Sequence, residues 1–174
     1  MKERLILHDL TDAQRDLLLP PDSDYDTVFS AIPLVKSCIG CFGCWTKTPG
    51  QCIIKDRVNA FPKLIASHKE LIIISRMVFG GVSPEIKAVL DRSIGFILPY
   101  FRLIGGEMHH VPRYEVGPQM QYIFYGENIT QEESDIAKKL VMANAVNFDA
   151  NTYKAVFYTN PEDMGAVIND NRAH

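Results

Sequence analysis

Four cysteines lie within fifteen residues, as Cys38-x-x-Cys41-x-x-Cys44, then seven residues, then Cys52, and the chain has no other. Three thiols at a spacing of three, with Gly40 and Gly43 between them, describe a backbone winding around one compact soft centre. This is close to the register in which thiolates hold a cubane [4Fe–4S] cluster, whose chemistry is the movement of single electrons. No second run is present, so Cys52 is free to complete the same site. Lys47 and Lys55 would offset the negative charge of such a centre, and Phe42 and Trp45 would shield it from water. The same thiols would also serve a zinc ion, a redox relay or a structural loop. Zinc is the weaker reading, because structural zinc sites usually bring two cysteine pairs from separated knuckles.

A second segment able to do chemistry is Ser75-Arg76-Met77-Val78-Phe79-Gly80-Gly81-Val82-Ser83-Pro84. It follows the most apolar run of the chain. In an open parallel sheet, ligands sit beyond the carboxyl ends of the strands, at the switch point beside the first strand. An aromatic residue and two glycines there let backbone amides approach a planar ring. A tight strand-to-helix turn needs the same glycines, and both readings stand on these residues alone.

The elements that must position these loops are legible. Leu5-Ile6-Leu7, Thr27 to Ile32, Leu71-Ile72-Ile73-Ile74, Tyr122 to Tyr125 and Ala155 to Tyr158 read as five strands. The third has no polar alternation, as a central strand covered on both faces requires. Helical spacing joins Phe61, Leu64, Ile65 and His68, with Pro62 in the first turn. It also joins Ile86, Val89, Leu90, Ser93, Ile94 and Ile97 behind a Ser83 cap and Pro84. A capping box, Thr130-x-x-Glu133, opens a helix to Ala150 with Ile136, Ala137, Leu140, Val141 and Phe148 inward. Interleaved strands and helices predict an α/β, flavodoxin-like three-layer sandwich with a five-stranded parallel sheet of order 2-1-3-4-5.

Two helices fall short of that plan. The first has room only from Thr11 to Leu19 before Pro20-Pro21, and Pro161 to His174 is too short of apolar periodicity for a full final helix. Both belong to one face of the sheet, which predicts a thinly covered apolar face and an oligomer, homomeric or heteromeric, that buries it. The loop from Gly105 to Pro118, with His109, His110, Arg113 and Tyr114, reads as a solvated connection between helix and strand. His8 and His68 read as structural or surface residues.

The 174 residues form one domain, 1–174, with the cysteine loop 37–56 inserted after the second strand. A net charge of −3 and no run of Lys and Arg give no reason to expect nucleic acid. The N-terminal apolar run is three residues long and flanked by charge, so neither a signal peptide nor a membrane span is expected. A cytoplasmic chain keeps clustered cysteines reduced, as ligands or redox thiols rather than disulfides.

Cys38-x-Gly40-Cys41-x-x-Cys44, with Gly50-x-Cys52 and Asp56, resembles the flavodoxin-fold NAD(P)H-dependent FMN reductases and iron–sulfur flavoproteins. Val78-Phe79-Gly80-Gly81-Val82-Ser83-Pro84-Glu85-Ile86-Lys87-Ala88, ending in Asp91-Arg92, is similar to their flavin loop and following helix. Together the motifs span roughly residues 27 to 98. The resemblance implies an FMN-dependent oxidoreductase or electron-transfer protein, with the isoalloxazine against Met77, Val78, Phe79, Gly80 and Gly81. The fold would place Tyr125 and Gly126 as a second wall. It further implies a [4Fe–4S] cluster on Cys38, Cys41, Cys44 and Cys52, absent after aerobic preparation if lost, and NAD(P)H or a redox protein as electron donor.

One loop departs from the family. Its members follow the first strand with a Ser/Thr-rich loop whose hydroxyls and helix amides hold the FMN phosphate. Here the residues are His8-Asp9-Leu10-Thr11-Asp12-Ala13-Gln14-Arg15. The aspartates repel a phosphate dianion, leaving Thr11 and Arg15 as the donors. The alternative reading is therefore a non-catalytic flavodoxin-like subunit or binding module that has lost phosphate binding and pairs with another chain.

Overall fold

The computed structural model describes residues 2–19 and 26–165. Strands β1 (Lys2–His8), β2 (Asp26–Ser30), β3 (His68–Arg76), β6 (Gln119–Tyr125) and β7 (Tyr153–Tyr158) form one parallel sheet in the order β2-β1-β3-β6-β7. This is the expected 2-1-3-4-5 winding, with two further strands lying outside the sheet between β3 and β6. One row of the sheet runs Phe29, Leu7, Ile73, Tyr122, Ala155. Because side chains alternate along a strand, that row and its neighbours face one side. There they meet Phe61 and Ile65 of α3 (Phe61–Ala66), Ile86 and Val89 of α4 (Pro84–Asp91), and Ala137 and Val141 of α5 (Gln131–Asn147). The helix starts follow the sequence signals: Ser83 caps α4 through the Ile86 amide, and Thr130 and Glu133 close a capping box on α5.

Ile6, Ile72, Ile74 and Ile123 face the other way, packed with Leu18 and Leu19 at the end of α1 (Asp12–Leu18) and with Met164 in the 3-10 turn Pro161–Met164. The first helix is short, as expected; the segment expected to lack a full final helix, Pro161 to His174, is described only as far as residue 165 and there forms the 3-10 turn. The expectation of a bare apolar face is corrected. Ile6, Ile72, Ile74 and Ile123 are at most 1% exposed, so the centre of this face is covered within the chain, while Val28, Val156 and Tyr158 toward its edges are half-buried.

Other corrections concern helix ends. His68 does not continue α3 but starts β3, where it is buried and bonded to Thr27 Oγ1 at 2.8 Å. The helix α4 stops at Asp91 instead of running to Ile97, because Arg92 turns inward as its C-cap and a 3-10 turn, Ile94–Phe96, follows. Ile136 is not inward on α5 but 45% exposed. The segment expected to be a plain connection is a hairpin of β4 (Ile97–Ile104) and β5 (Glu107–Pro112), turning on Gly105 and Gly106 at φ 58° and 88°. Two consecutive residues with positive φ are what a two-residue hairpin turn needs, and glycine adopts them without strain. Among the described residues no helix is long and apolar enough to cross a membrane.

Candidate functional site

The cysteine loop leaves β2 and returns at α3. Arg57 anchors its first residues by donating to the carbonyls of Ser30, Ala31 and Pro33. The backbone then turns with Gly40 and Phe42 at φ 65° and 53° into the one-turn helix α2 (Gly43–Thr46). Trp45 docks this turn on the start of the hairpin, its Nε1 donating to Ile97 O at 2.9 Å and Ile94 O at 3.2 Å. Gly95 lets the hairpin approach lie against Cys44, since a Cβ there would come within 3.2 Å of Cys44 Cβ.

All four cysteines line one cavity of about 40 Å³, together with Ile39, Gly40, Phe42, Ile53, Ile54, Arg92 and Ile94. None is disulfide-bonded; Cys44 is buried, Cys52 half-buried, and Cys38 and Cys41 are exposed. Burial, followed by the proximity of Cys52, Cys38 and Cys41, pushes the Cys44 thiol above its ordinary value. Among the described residues no three His, Cys, Asp or Glu side chains converge on a point that would bind a metal ion. A cubane takes one thiolate on each of its four irons, and four thiols line this one cavity. Phe42 lines the cavity as expected of a shield, whereas Trp45 stacks behind it with ring centroids 5.2 Å apart. Lys47 and Lys55 are exposed and absent from the lining.

The cation that does reach the sulfurs is Arg92, which the motif reading treated only as the end of a similarity. Its Nε donates to Cys52 Sγ at 3.4 Å, and its two terminal nitrogens grip Asp56 at 2.7 and 2.6 Å. The Asp56 carboxyl is held below its ordinary value chiefly by that guanidinium. A separation of 40 residues between Arg92 and Cys52 leaves no local signal of the contact.

The second group of expected residues lies at the carboxyl ends of β1, β3 and β6. Phe79 and Gly80 form a tight turn, with Val78 N donating to Gly81 O at 3.0 Å and Gly81 N to Val78 O at 2.9 Å. Both turn residues have positive φ, 49° and 76°, and the Phe79 ring is 90% exposed. Met77 donates its amide to Tyr125 O at 2.8 Å, and a Cβ on Gly126 would lie 3.6 Å from Met77 Cβ. Met77 to Gly81 and Tyr125-Gly126 are thus brought side by side. The Tyr125 phenol, however, is buried and donates to Asp9 Oδ1 at 2.9 Å.

Asp9 is the centre of that strand-end arrangement. Its carboxylate also accepts the Arg76 amide at 3.0 and 3.2 Å, tying β1 to β3 while Tyr125 ties it to β6. Burial raises the carboxyl above its ordinary value, against hydrogen bonds from Ser83, Arg76 and Tyr125. Burial and the nearby carboxylate likewise raise the Tyr125 hydroxyl.

Thr11 and Arg15 stand just beyond, both engaged within their own helix. The Thr11 hydroxyl accepts the Gln14 amide at 3.3 Å, while Gln14 Oε1 accepts the Thr11 amide at 3.1 Å. Arg15 bonds Asp12 at 3.0 Å and Asp16 at 2.8 Å. The Asp9 amide is spent on Ile74 O at 3.3 Å and the Leu10 amide on His8 Nδ1 at 3.2 Å. These donors meet protein acceptors, with a buried carboxylate between them. The amides of Asp9, Leu10 and Gln14 are thus taken up within the chain.

No protein-family model matches the chain. An iron–sulfur flavoprotein of Methanocaldococcus jannaschii is 42% identical over 68 residues, 37% of this chain and 34% of that protein, so the match spans about a third of the relative's length. Among solved structures, the general stress protein 14 of Treponema denticola in complex with FMN superposes with a TM-score of 0.57 at 13% identity, covering 98% of this chain and 92% of that one. An FMN-dependent NADH-azoreductase of Bacillus anthracis in complex with FMN gives 0.54 at 14% identity, covering 98% and 93%. At such identities the likeness shows the fold. The chain is a flavodoxin-type α/β protein that resembles, over part of its length, an iron–sulfur flavoprotein.

Proposed function

We propose that the protein is an electron-transfer protein of the iron–sulfur flavoprotein kind, carrying a [4Fe–4S] cluster on Cys38, Cys41, Cys44 and Cys52. The observation that carries this reading is the single cavity lined by all four cysteines and by a buried guanidinium. A cluster bound there would supply one-electron transfer. The chain's own part is placement. Gly40 and Phe42 turn the backbone around the sulfurs, Phe42 and the isoleucines limit water, and Arg57 and Trp45 fix the loop to the sheet and the hairpin. Reduced thiols are kept available by a cytoplasmic compartment, and the electron donor is NAD(P)H or a redox protein. Anaerobic reconstitution with ferrous iron and sulfide tests this. About four irons per chain with a broad visible band is expected; a colourless, iron-free protein overturns it.

For the flavin, the two ends of the site point in different directions. The Phe79–Gly80 turn beside Gly126 keeps the backbone geometry expected beside an isoalloxazine ring, whereas the amides of Asp9, Leu10 and Gln14 are taken up within the chain. This contrast favours a second reading, in which the chain is a cluster-bearing subunit that has given up the phosphate grip and works beside a complete flavoprotein. Titration with FMN and with riboflavin separates the two. Binding of FMN at least tenfold tighter than riboflavin restores a phosphate site and refutes the second reading; equal binding, or none, supports it.

A further inference from the structure

The guanidinium of Arg92 is fully buried, and all five of its N–H donors are accounted for. Two go to the Asp56 carboxylate at 2.7 and 2.6 Å, one to Lys36 O at 3.3 Å, one to Ile54 O at 3.1 Å and one to Cys52 Sγ at 3.4 Å. Lys36 and Ile54 are the two stems of the loop, one just before Cys38 and the other just after Cys52. The side chain that joins them comes from neither stem but from the C-cap of α4. A planar fork with five fixed donors can hold two carbonyls, a carboxylate and a sulfur at once; an ammonium group cannot.

We propose that Arg92 is the positioning residue of the cluster site, closing the cysteine loop and setting the potential of the cluster through Cys52. The proposal rests on the cluster reading above. A thiolate-ligated cluster gains negative charge on reduction. A buried cation with an N–H on a ligand sulfur stabilises that reduced form, so it raises the potential. Asp56 works against this by neutralising part of the guanidinium charge. The pair is therefore a balance: removing the cation leaves a carboxylate near the sulfur, and removing the carboxylate leaves the cation uncompensated. The two removals move the potential in opposite directions. A role confined to folding the loop would not produce opposite signs.

The test is a mediated redox titration, followed by electron paramagnetic resonance, of the reconstituted full chain and of Arg92→Gln, Arg92→Lys and Asp56→Asn. Arg92→Gln is expected to lower the midpoint potential and Asp56→Asn to raise it. Arg92→Lys, which keeps the charge but not the fork, is expected nearer the wild type in potential. Iron release to a chelator should be about 10–100-fold faster in both Arg92 variants, the usual loss on removing a group that supports a metal ligand. If Arg92→Gln does not fold, the rise in Asp56→Asn and the fast iron release of Arg92→Lys at near-wild-type potential carry the test. Unchanged potentials, or shifts of one sign in Arg92→Gln and Asp56→Asn, overturn the proposal while leaving the cluster intact. A wild-type chain that takes up no iron overturns the cluster reading itself, and the proposal with it.

Discussion

Replacing Gly80 by alanine separates two reasons for a glycine at the strand-end turn. A backbone that must approach a ligand and a backbone that must fit its own helix both need glycine, but only the second makes substitution costly without ligand. Gly80 has φ +76°, and an added Cβ would lie 2.7 Å from Ile136 Cγ2, 2.8 Å from Ile136 Cβ and 3.2 Å from the Glu133 carbonyl oxygen. The contacted atoms are at the root of the isoleucine, so rotating its far end gives no relief. A left-handed conformation costs alanine about 1–2 kcal/mol. Forcing a methyl against a packed neighbour adds about 1–3 kcal/mol, toward the lower figure here because Ile136 is partly exposed. Gly80→Ala is therefore expected to lose about 2–4 kcal/mol in urea unfolding of the protein without ligand, as a lower midpoint at unchanged slope. In the double variant Gly80→Ala/Ile136→Gly the side-chain clash is removed and the conformational cost of about 1–2 kcal/mol remains. A double-mutant cycle should thus report coupling of about 1–2 kcal/mol. Gly81 is the internal control, since its added Cβ would meet only Val78 O at 3.4 Å, and Gly81→Ala should cost under about 1 kcal/mol. A Gly80→Ala loss below about 0.5 kcal/mol, or additivity in the cycle, would refute packing as the reason for this glycine.

Acid should destabilise the protein through His8, whose imidazole burial lowers from 6.5 to about 4, with the Arg15 charge adding to the effect. The unfolded chain takes the proton first, so stability is full above pH 6.5 and falls by about 1.4 kcal/mol per pH unit until about pH 4. His8→Asn should flatten that part of the urea-midpoint profile, and an unchanged slope would contradict the assignment; Asp9, whose raised carboxyl acts with the opposite sign, is common to both proteins. Asn144→Ala removes the amide that donates to the fully buried Tyr122 hydroxyl at 3.0 Å and should cost about 1–3 kcal/mol by chemical denaturation, the cost of an unsatisfied buried hydroxyl. Gly117→Ala should prevent folding or open the contact to the end of α5, because its Cβ would fall 1.8 Å from the Asp149 carbonyl oxygen; a stable, soluble variant with wild-type midpoint would show that contact to be wrong.

The sequence by itself determined the five strands of the parallel sheet and the starts of α4 and α5, because these follow from neighbours along the chain. The unbroken run Leu71 to Ile74 marks a strand buried on both faces, and Ser83-Pro84 and Thr130-x-x-Glu133 satisfy orphan helix amides within one turn. It also determined that four thiols crowd one loop, since their spacing is local. The hairpin was missed: Gly105-Gly106 is a turn signal, but the helical stripe that continues past Arg92 led the segment to be read as a plain connection. Only the tertiary structure decided what those loops face. Asp9 read as a charge hostile to phosphate; in the fold its carboxylate has a further task, binding the ends of three strands through residues 67 and 116 positions away. Arg92 read as the tail of a helix motif and proved to be the clasp of the cysteine loop. Buried polar groups must find partners, and a long side chain finds them wherever the fold brings acceptors within reach, without regard to distance along the chain.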